Sequence, residues 1–161
     1  MSIVTNYEIK SPSSEFSQKI GECIGRNLKG GELIILSSDL GGGKTTLTKG
    51  IAKGAGSADL VSSPSFTLTN VYRAKNLEIS HYDFYRLSSP GVLLDTVIED
   101  INDNHKTVII EWADIVINKL NVNKLLITIN SLSENIREIK IVADEPLNYL
   151  LKGIDEISLY K

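Results

Sequence analysis

The spacing of apolar residues changes period several times along the chain, and each change marks an element. Residues 3–9 read as a short strand, and Ser13 and Ser14 then offer N-caps. Phe16, Ile20, Cys23/Ile24 and Leu28 recur at helical spacing, predicting a helix that ends at Gly30-Gly31. Residues 32–36 (ELIIL) form an apolar strand, followed by a glycine-rich loop and by a helix from Lys44 with Leu47, Ile51 and Ala55 on one face. Gly54, Gly56 and the cluster Ser62-Ser63-Pro64-Ser65 break the regularity. Residues 67–72 and 77–82, rich in β-branched and aromatic side chains, then read as a hairpin. Ser89-Pro90 has the form of a capped helix start with Leu94, Val97, Ile98 and Ile101 as its apolar stripe. Residues 107–110 run apolar into Glu111, the signature of a strand buried on both faces of a parallel sheet. Residues 125–129 and 136–142 suggest a second hairpin, and 146–151 a short terminal helix. Strands alternating with helices around a glycine loop predict an α/β domain whose sheet is largely parallel with antiparallel additions.

Composition narrows what such a domain does. A chain of 161 residues is about one domain and holds a core without staples. Its formal charge of -3 and pI near 5.4 argue against binding nucleic acid, DNA or RNA, through its own electrostatics, so any RNA connection is expected to be indirect. Cys23 is the only cysteine, which excludes an intramolecular disulfide and a cysteine zinc site; it reads as a buried thiol. The sequence shows no signal-like N-terminus and no apolar run of about 20 residues, so the expectation is a cytoplasmic protein with no membrane contact.

The chemistry concentrates where the strand 32–36 gives way to SSDLGGGKTT. The phosphate-loop template G-x-x-x-x-G-K-[ST] fits from Ser38 to Thr45, with Ser38 in place of its first glycine. Glycines let backbone N–H groups wrap a phosphate at a helix N-terminus, Lys44 supplies an ammonium to the β- and γ-phosphates, and the Thr45 hydroxyl is a magnesium ligand. Ser38 reads as a turn residue that leaves nucleotide binding intact. Hydrolysis further needs a carboxylate that holds metal or orients water. Two qualify: Glu111, delivered by a buried strand to the carboxyl edge of the sheet, and Asp83, inside His81-Tyr-Asp-Phe-Tyr-Arg-Leu. Their alternative readings are a solvent-facing strand end for Glu111 and a surface partner of Arg86, or a cap, for Asp83. His81 reads as a structural hydrogen-bonder with a proton shuttle as its alternative, and His105 as loop decoration. Ser63-Pro64-Ser65-Phe66-Thr67 is a candidate switch segment, and Trp112 adjoins Glu111.

Together these motifs resemble one family, TsaE (YjeE), the bacterial ATPase of tRNA threonylcarbamoyladenosine synthesis. The resemblance covers most of the chain and lies in the order of the glycine loop Asp39-Leu-Gly-Gly-Gly-Lys-Thr-Thr, Ser63-Pro-Ser-Phe-Thr-Leu, His81-Tyr-Asp-Phe-Tyr-Arg and Ile110-Glu-Trp. It implies a P-loop NTPase-like three-layer sandwich, ATP and magnesium as cofactors, and work with a TsaB–TsaD heterodimer that modifies the adenosine beside the anticodon. It makes Asp39, Leu40, Gly41, Gly42, Gly43, Lys44, Thr45 and Thr46 the phosphate cradle, and Thr45 and Glu111 the magnesium side. Asp83 and Trp112 become residues needed for turnover together with Lys44 and Glu111, and Ser14 and Arg137 mark the adenine side. The sequence departs from the family pattern at Ser38, where glycine is usual, and at Ser65, where threonine is usual. The competing readings are a small-molecule kinase, which usually brings several arginines into a lid whereas this chain scatters only Arg26, Arg73, Arg86 and Arg137, and a non-hydrolysing nucleotide sensor. No arginine in the sequence announces itself beside the loop or switch, so isolated hydrolysis is expected to be slow and stimulated by the partner.

Overall fold

The computed structural model describes residues 4–39, 41–89, 91 and 93–158. Seven strands form one sheet, β1 (Val4–Ser11), β2 (Leu33–Ser38), β3 (Thr69–Arg73), β4 (Glu78–Asp83), β5 (Lys106–Glu111), β6 (Leu125–Ser131) and β7 (Arg137–Asp144), in the order β1-β7-β6-β2-β5-β4-β3. The central pairings β6-β2, β2-β5 and β5-β4 are parallel, while β1-β7, β7-β6 and β3-β4 are antiparallel. The largely parallel sheet of the sequence reading is thus a parallel centre with antiparallel pairs at both sides, and both expected hairpins are present.

Alternation along β2 assigns the layers. Ile34 and Leu36 face one core with Ile20, Ile24, Leu47 and Ile51, from α1 (Ser14–Arg26) and α2 (Lys44–Gly54). Leu33 and Ile35 face the other, with Tyr82, Val108, Ile110 and Val97 of α3 (Leu93–Ile101). This is the three-layer arrangement. The α1 start is set by Ser13, whose side chain accepts from Phe16 N, but the helix ends at Arg26 with Asn27 as cap, short of Gly30-Gly31. Glu32 explains the gap: its buried carboxylate accepts from Lys29 N (2.7 Å), Gly30 N (2.9 Å), Thr107 Oγ1 (2.7 Å) and Tyr149 Oη (2.5 Å), fixing residues 29–30 as a loop. Likewise α3 is described from Leu93, later than the Ser89-Pro90 signal; Ile3 and Pro90 lie outside the described residues.

One feature that positions the site escaped the sequence reading. Gly21 and Gly25 of α1 meet Gly50 and Gly54 of α2 so closely that a Cβ on Gly50 would stand 2.1 Å from Gln18 O, and one on Gly25 2.1 Å from Ile51 O. The four-residue spacing of each pair was the available signal. The terminal segment is a 3-10 helix, Glu145–Leu151, followed by an unforeseen α4 (Ile154–Ser158), and two 3-10 turns, Ala113–Ile115 and Ile117–Lys119, follow β5. Cys23 is buried as expected, and burial raises its thiol above the usual range. Among the described residues no helix is long and apolar enough to cross a membrane.

Candidate nucleotide site

The central strand β2 delivers its carboxyl end to the glycine loop, and α2 starts at Lys44 immediately after Gly43. Gly41 (φ 75) and Gly43 (φ 107) take the left-handed conformation that glycine alone adopts without strain, and Gly43 caps α2 with no side-chain partner for the helix's first N–H groups. Those groups and the helix dipole make a phosphate-sized anion site. Lys44 is 7% exposed; its Nζ donates to Ser38 Oγ at 2.8 Å and lies 5.0 Å from the Trp112 ring centroid. Thr45 and Thr46 stand in the first turn of α2, and the Asp39 carbonyl accepts from Gly42 N. Leu40, assigned to the cradle by resemblance, lies outside the described residues.

The two acids sit where the parallel register puts them. Asp83 and Glu111 end β4 and β5 as direct partners, and Leu36 of β2 is the partner of Glu111 on its other side. Of the alternative readings only the cap is met, since Asp83 accepts from the backbone N–H of Tyr85 two residues on. Glu111 is 2% exposed and Asp83 1% exposed, so neither is a surface acid. Asp83 pairs not with Arg86 but with Tyr85 N on Oδ1 (2.8 Å) and Ser65 Oγ on Oδ2 (2.9 Å); Ser65 in turn bonds Ser63 Oγ (2.8 Å). The switch segment is therefore tied to one of the candidate catalytic acids.

Glu111 is held from behind. His81, buried and on the same face of β4 as Asp83, meets Glu111 Oε2 through Nε2 at 2.5 Å, and its Nδ1 meets Tyr72 Oη at 2.9 Å. Ser62 O can only accept, so Tyr72 donates its single hydroxyl proton there (2.9 Å) and takes a hydrogen bond from His81 Nδ1–H. Burial first, and the Glu111 charge last, hold the Tyr72 phenol above its usual range despite bonds that lower it, consistent with a neutral donor. His81 is thus the hydrogen-bonder expected, but one whose partner is a candidate catalytic carboxylate. Tyr72 was missed; only its alternation with Asn70 and Val71 in a strand was readable. His105 lies in an exposed turn.

Trp112 is half-buried and left-handed (φ 57, ψ 51), and its ring packs at a 46° tilt against Tyr85 with centroids 4.8 Å apart. Left-handed backbone at a non-glycine residue costs about 1–3 kcal/mol and clusters at functional positions. A cleft of about 330 Å³ is bounded by the loop from Gly41 to Thr46, Ser63, Ser65, Asp83, Glu111 and Trp112. A smaller one beside it, about 90 Å³, brings Ser14 and Arg137 together with Gly43 and Thr46. Arg137 Nε donates to Gly42 O at 3.2 Å and its Nη1 to three carbonyls of the β6-β7 turn, while the Arg86 guanidinium lies 4.4 Å from the Phe66 ring centroid. The fold therefore places Arg137 at the loop, beside Ser14 as the resemblance implies, and Arg86 against the candidate switch segment.

The hydroxyl of Thr45 and the carboxylates of Asp83 and Glu111 are hard oxygen donors around one cleft, the set that suits magnesium. Among the described residues no three His, Cys, Asp or Glu cluster to hold a metal by themselves.

Comparison with known proteins fits this geometry. The family model described as "Threonylcarbamoyl adenosine biosynthesis protein TsaE" matches residues 11–139. The tRNA threonylcarbamoyladenosine biosynthesis protein TsaE of Rickettsia conorii is 32% identical over 138 residues, 84% of this chain and 78% of that protein. The protein of that name from Bacillus subtilis is 31% identical over 134 residues, 83% of this chain and 84% of its own length. A crystal structure of YdiB from Bacillus subtilis superposes with a TM-score of 0.75 at 26% identity, covering 98% of this chain and 97% of that one. The matched span includes the glycine loop, both acids and the switch segment between them, and the chain belongs to the TsaE family.

Proposed function

We propose that this chain is the Mg-ATP-binding ATPase of tRNA threonylcarbamoyladenosine biosynthesis, acting in the cytoplasm with a TsaB–TsaD complex and meeting tRNA only through it. The observation that carries the reading is the cleft in which an unpartnered helix start, Lys44 and Thr45 face two carboxylates buried side by side on adjacent parallel strands. Family membership supplies the pathway. The net charge of -3 favours contact with tRNA through partners.

In this reading the loop N–H groups and Lys44 bind the β- and γ-phosphates. Thr45 and Glu111 are the residues that would hold magnesium, which when bound neutralises charge developing on the transferring phosphoryl group. Asp83 orients the attacking water. Its Ser65 contact couples that orientation to the position of the switch segment. Arg137 is occupied by backbone carbonyls and Arg86 lies against an exposed phenylalanine, so neither is engaged as a finger on a phosphate. An arginine finger is worth about 10³–10⁵ in rate, and without one isolated turnover is slow.

Phosphate release by wild type, Asp83→Ala and Glu111→Ala, alone and with TsaB–TsaD, tests this. Wild type should be stimulated by the complex, and each acid variant should lose at least about tenfold of the stimulated rate. Equal rates with and without the complex would remove the partner from the mechanism, and full activity in both acid variants would show that the carboxylates are misassigned.

A further inference from the structure

Ser38 stands where the phosphate-loop template has a glycine, and its side chain lies inside the loop, not at its margin. Its Oγ donates to Asp39 O at 2.8 Å and accepts from Lys44 Nζ at 2.8 Å; Asp39 O is the next acceptor from that ammonium, at 3.5 Å. The residue opposite is fitted to it. A Cβ on Gly42 would stand 2.6 Å from Ser38 Oγ, 2.7 Å from Ser38 Cβ and 2.9 Å from Asp39 O, so the side chain of Ser38 fills most of the volume that one at position 42 would need. Gly42 needs no left-handed backbone, which leaves space as the reason for glycine there.

The consequence is for Lys44. A lysine ammonium on a four-carbon stem has three rotatable donors, and ordering it costs rotamer entropy. A glycine at position 38 has no side chain with which to hold it. Ser38 does, and leaves the ammonium donors to spare. We infer that Ser38 is a positioning residue for Lys44: its hydroxyl fixes the ammonium at the loop before nucleotide arrives, so that the ordering cost is met in advance and phosphate binding is tightened. Ser38 is therefore not the indifferent turn residue of the sequence reading. The inference rests on the loop being a Mg-ATP site, as proposed above.

Ser38→Ala separates the hydroxyl from the bulk, because it keeps Cβ and removes only Oγ. Two readouts are needed: Mg-ATP affinity by calorimetry, and the emission of Trp112, the only tryptophan, in nucleotide-free protein, since the Lys44 ammonium lies 5.0 Å from its ring. Ser38→Ala should weaken Mg-ATP about five- to tenfold and change the nucleotide-free emission. Gly42→Ala should weaken binding more beside Ser38 than in the Ser38→Gly background, where only the 2.9 Å approach to Asp39 O remains. Wild-type affinity and unchanged emission in Ser38→Ala would overturn the inference, as would an equal effect of Gly42→Ala in both backgrounds. A wild type that binds no Mg-ATP would overturn the ATPase reading instead, and the nucleotide-free emission would still report on the contact between Ser38 and Lys44.

Discussion

Replacing His81 by leucine isolates what holds Glu111 in place. The imidazole is fully buried, Glu111 is 2% exposed, and the two meet at 2.5 Å. Leucine approximates the volume of histidine, so packing on β4 changes little while the carboxylate loses its partner. Removing one member of a buried pair costs about 3–5 kcal/mol, because the remaining charge is left uncompensated in a poorly solvated position. Tyr72 loses its Nδ1–H donor as well, but its hydroxyl keeps Ser62 O, so this adds little. A domain of this size has about 5–15 kcal/mol of stability in total, so the variant survives but is badly weakened. With a urea slope of about 2 kcal/mol/M, the unfolding midpoint should fall by about 2 M. The double variant His81→Leu/Glu111→Leu removes both hydrogen-bonding partners and should recover most of that loss, since a buried polar pair replaced by apolar groups is often neutral or better. The assay is equilibrium urea unfolding by circular dichroism. The reasoning fails if His81→Leu unfolds at the wild-type midpoint, or if the double variant is no more stable than the single one.

Tyr82 donates a short hydrogen bond to Asp100, which also takes 3.0 Å from Lys106 Nζ; Tyr82→Phe should cost about 1.5–3 kcal/mol near neutral pH, read by the same urea assay. The pH dependence has a definite sign: burial, then the bond to Asp100 and its charge, raise the Tyr82 phenol, so its contribution is whole below its unfolded value of about 10 and declines as pH rises beyond it, and the variant should lose that alkaline decline. At Asp100 burial pushes the carboxyl up, but the hydrogen bonds from Tyr82 and Lys106 and the Lys106 charge outweigh it and lower it overall, so stability is lost as pH falls below about 4, and less steeply in Tyr82→Phe. Gly50→Ala puts a methyl 2.1 Å from Gln18 O, a backbone atom that cannot turn aside, and should cost at least about 1–3 kcal/mol in thermal or urea unfolding, whereas Gly31→Ala, whose nearest neighbour is a side-chain oxygen at 3.7 Å, isolates the cost of its positive φ alone.

What could be read from the sequence was what is local in it. The strand, loop and helix around Lys44, the buried strand ending in Glu111 and both hairpins follow from periodicity and turn chemistry within a dozen residues. The distances in the site do not, because they are set by register between strands far apart in the chain: Asp83 meets Glu111 only because β4 and β5 align end to end, and His81 reaches Glu111 across thirty positions of sequence. The same separation explains the mistaken helix end. Nothing near Gly30 announces that Glu32 will gather Thr107 and Tyr149, and once it does, the backbone at 29–30 has better partners than another helical turn. Arg137 was unreadable as a loop residue for the same reason, since β7 must fold back beside β6 before its guanidinium reaches Gly42 O. Ser38 is the instructive case. As a mismatch to a template it reads as a loss of glycine, but its cost or benefit depends on two residues, Gly42 and Lys44, that share its volume and its hydroxyl. A motif position can be judged only with the positions that face it, and here the loop carries serine where a side chain gains a partner and glycine where a side chain would meet one.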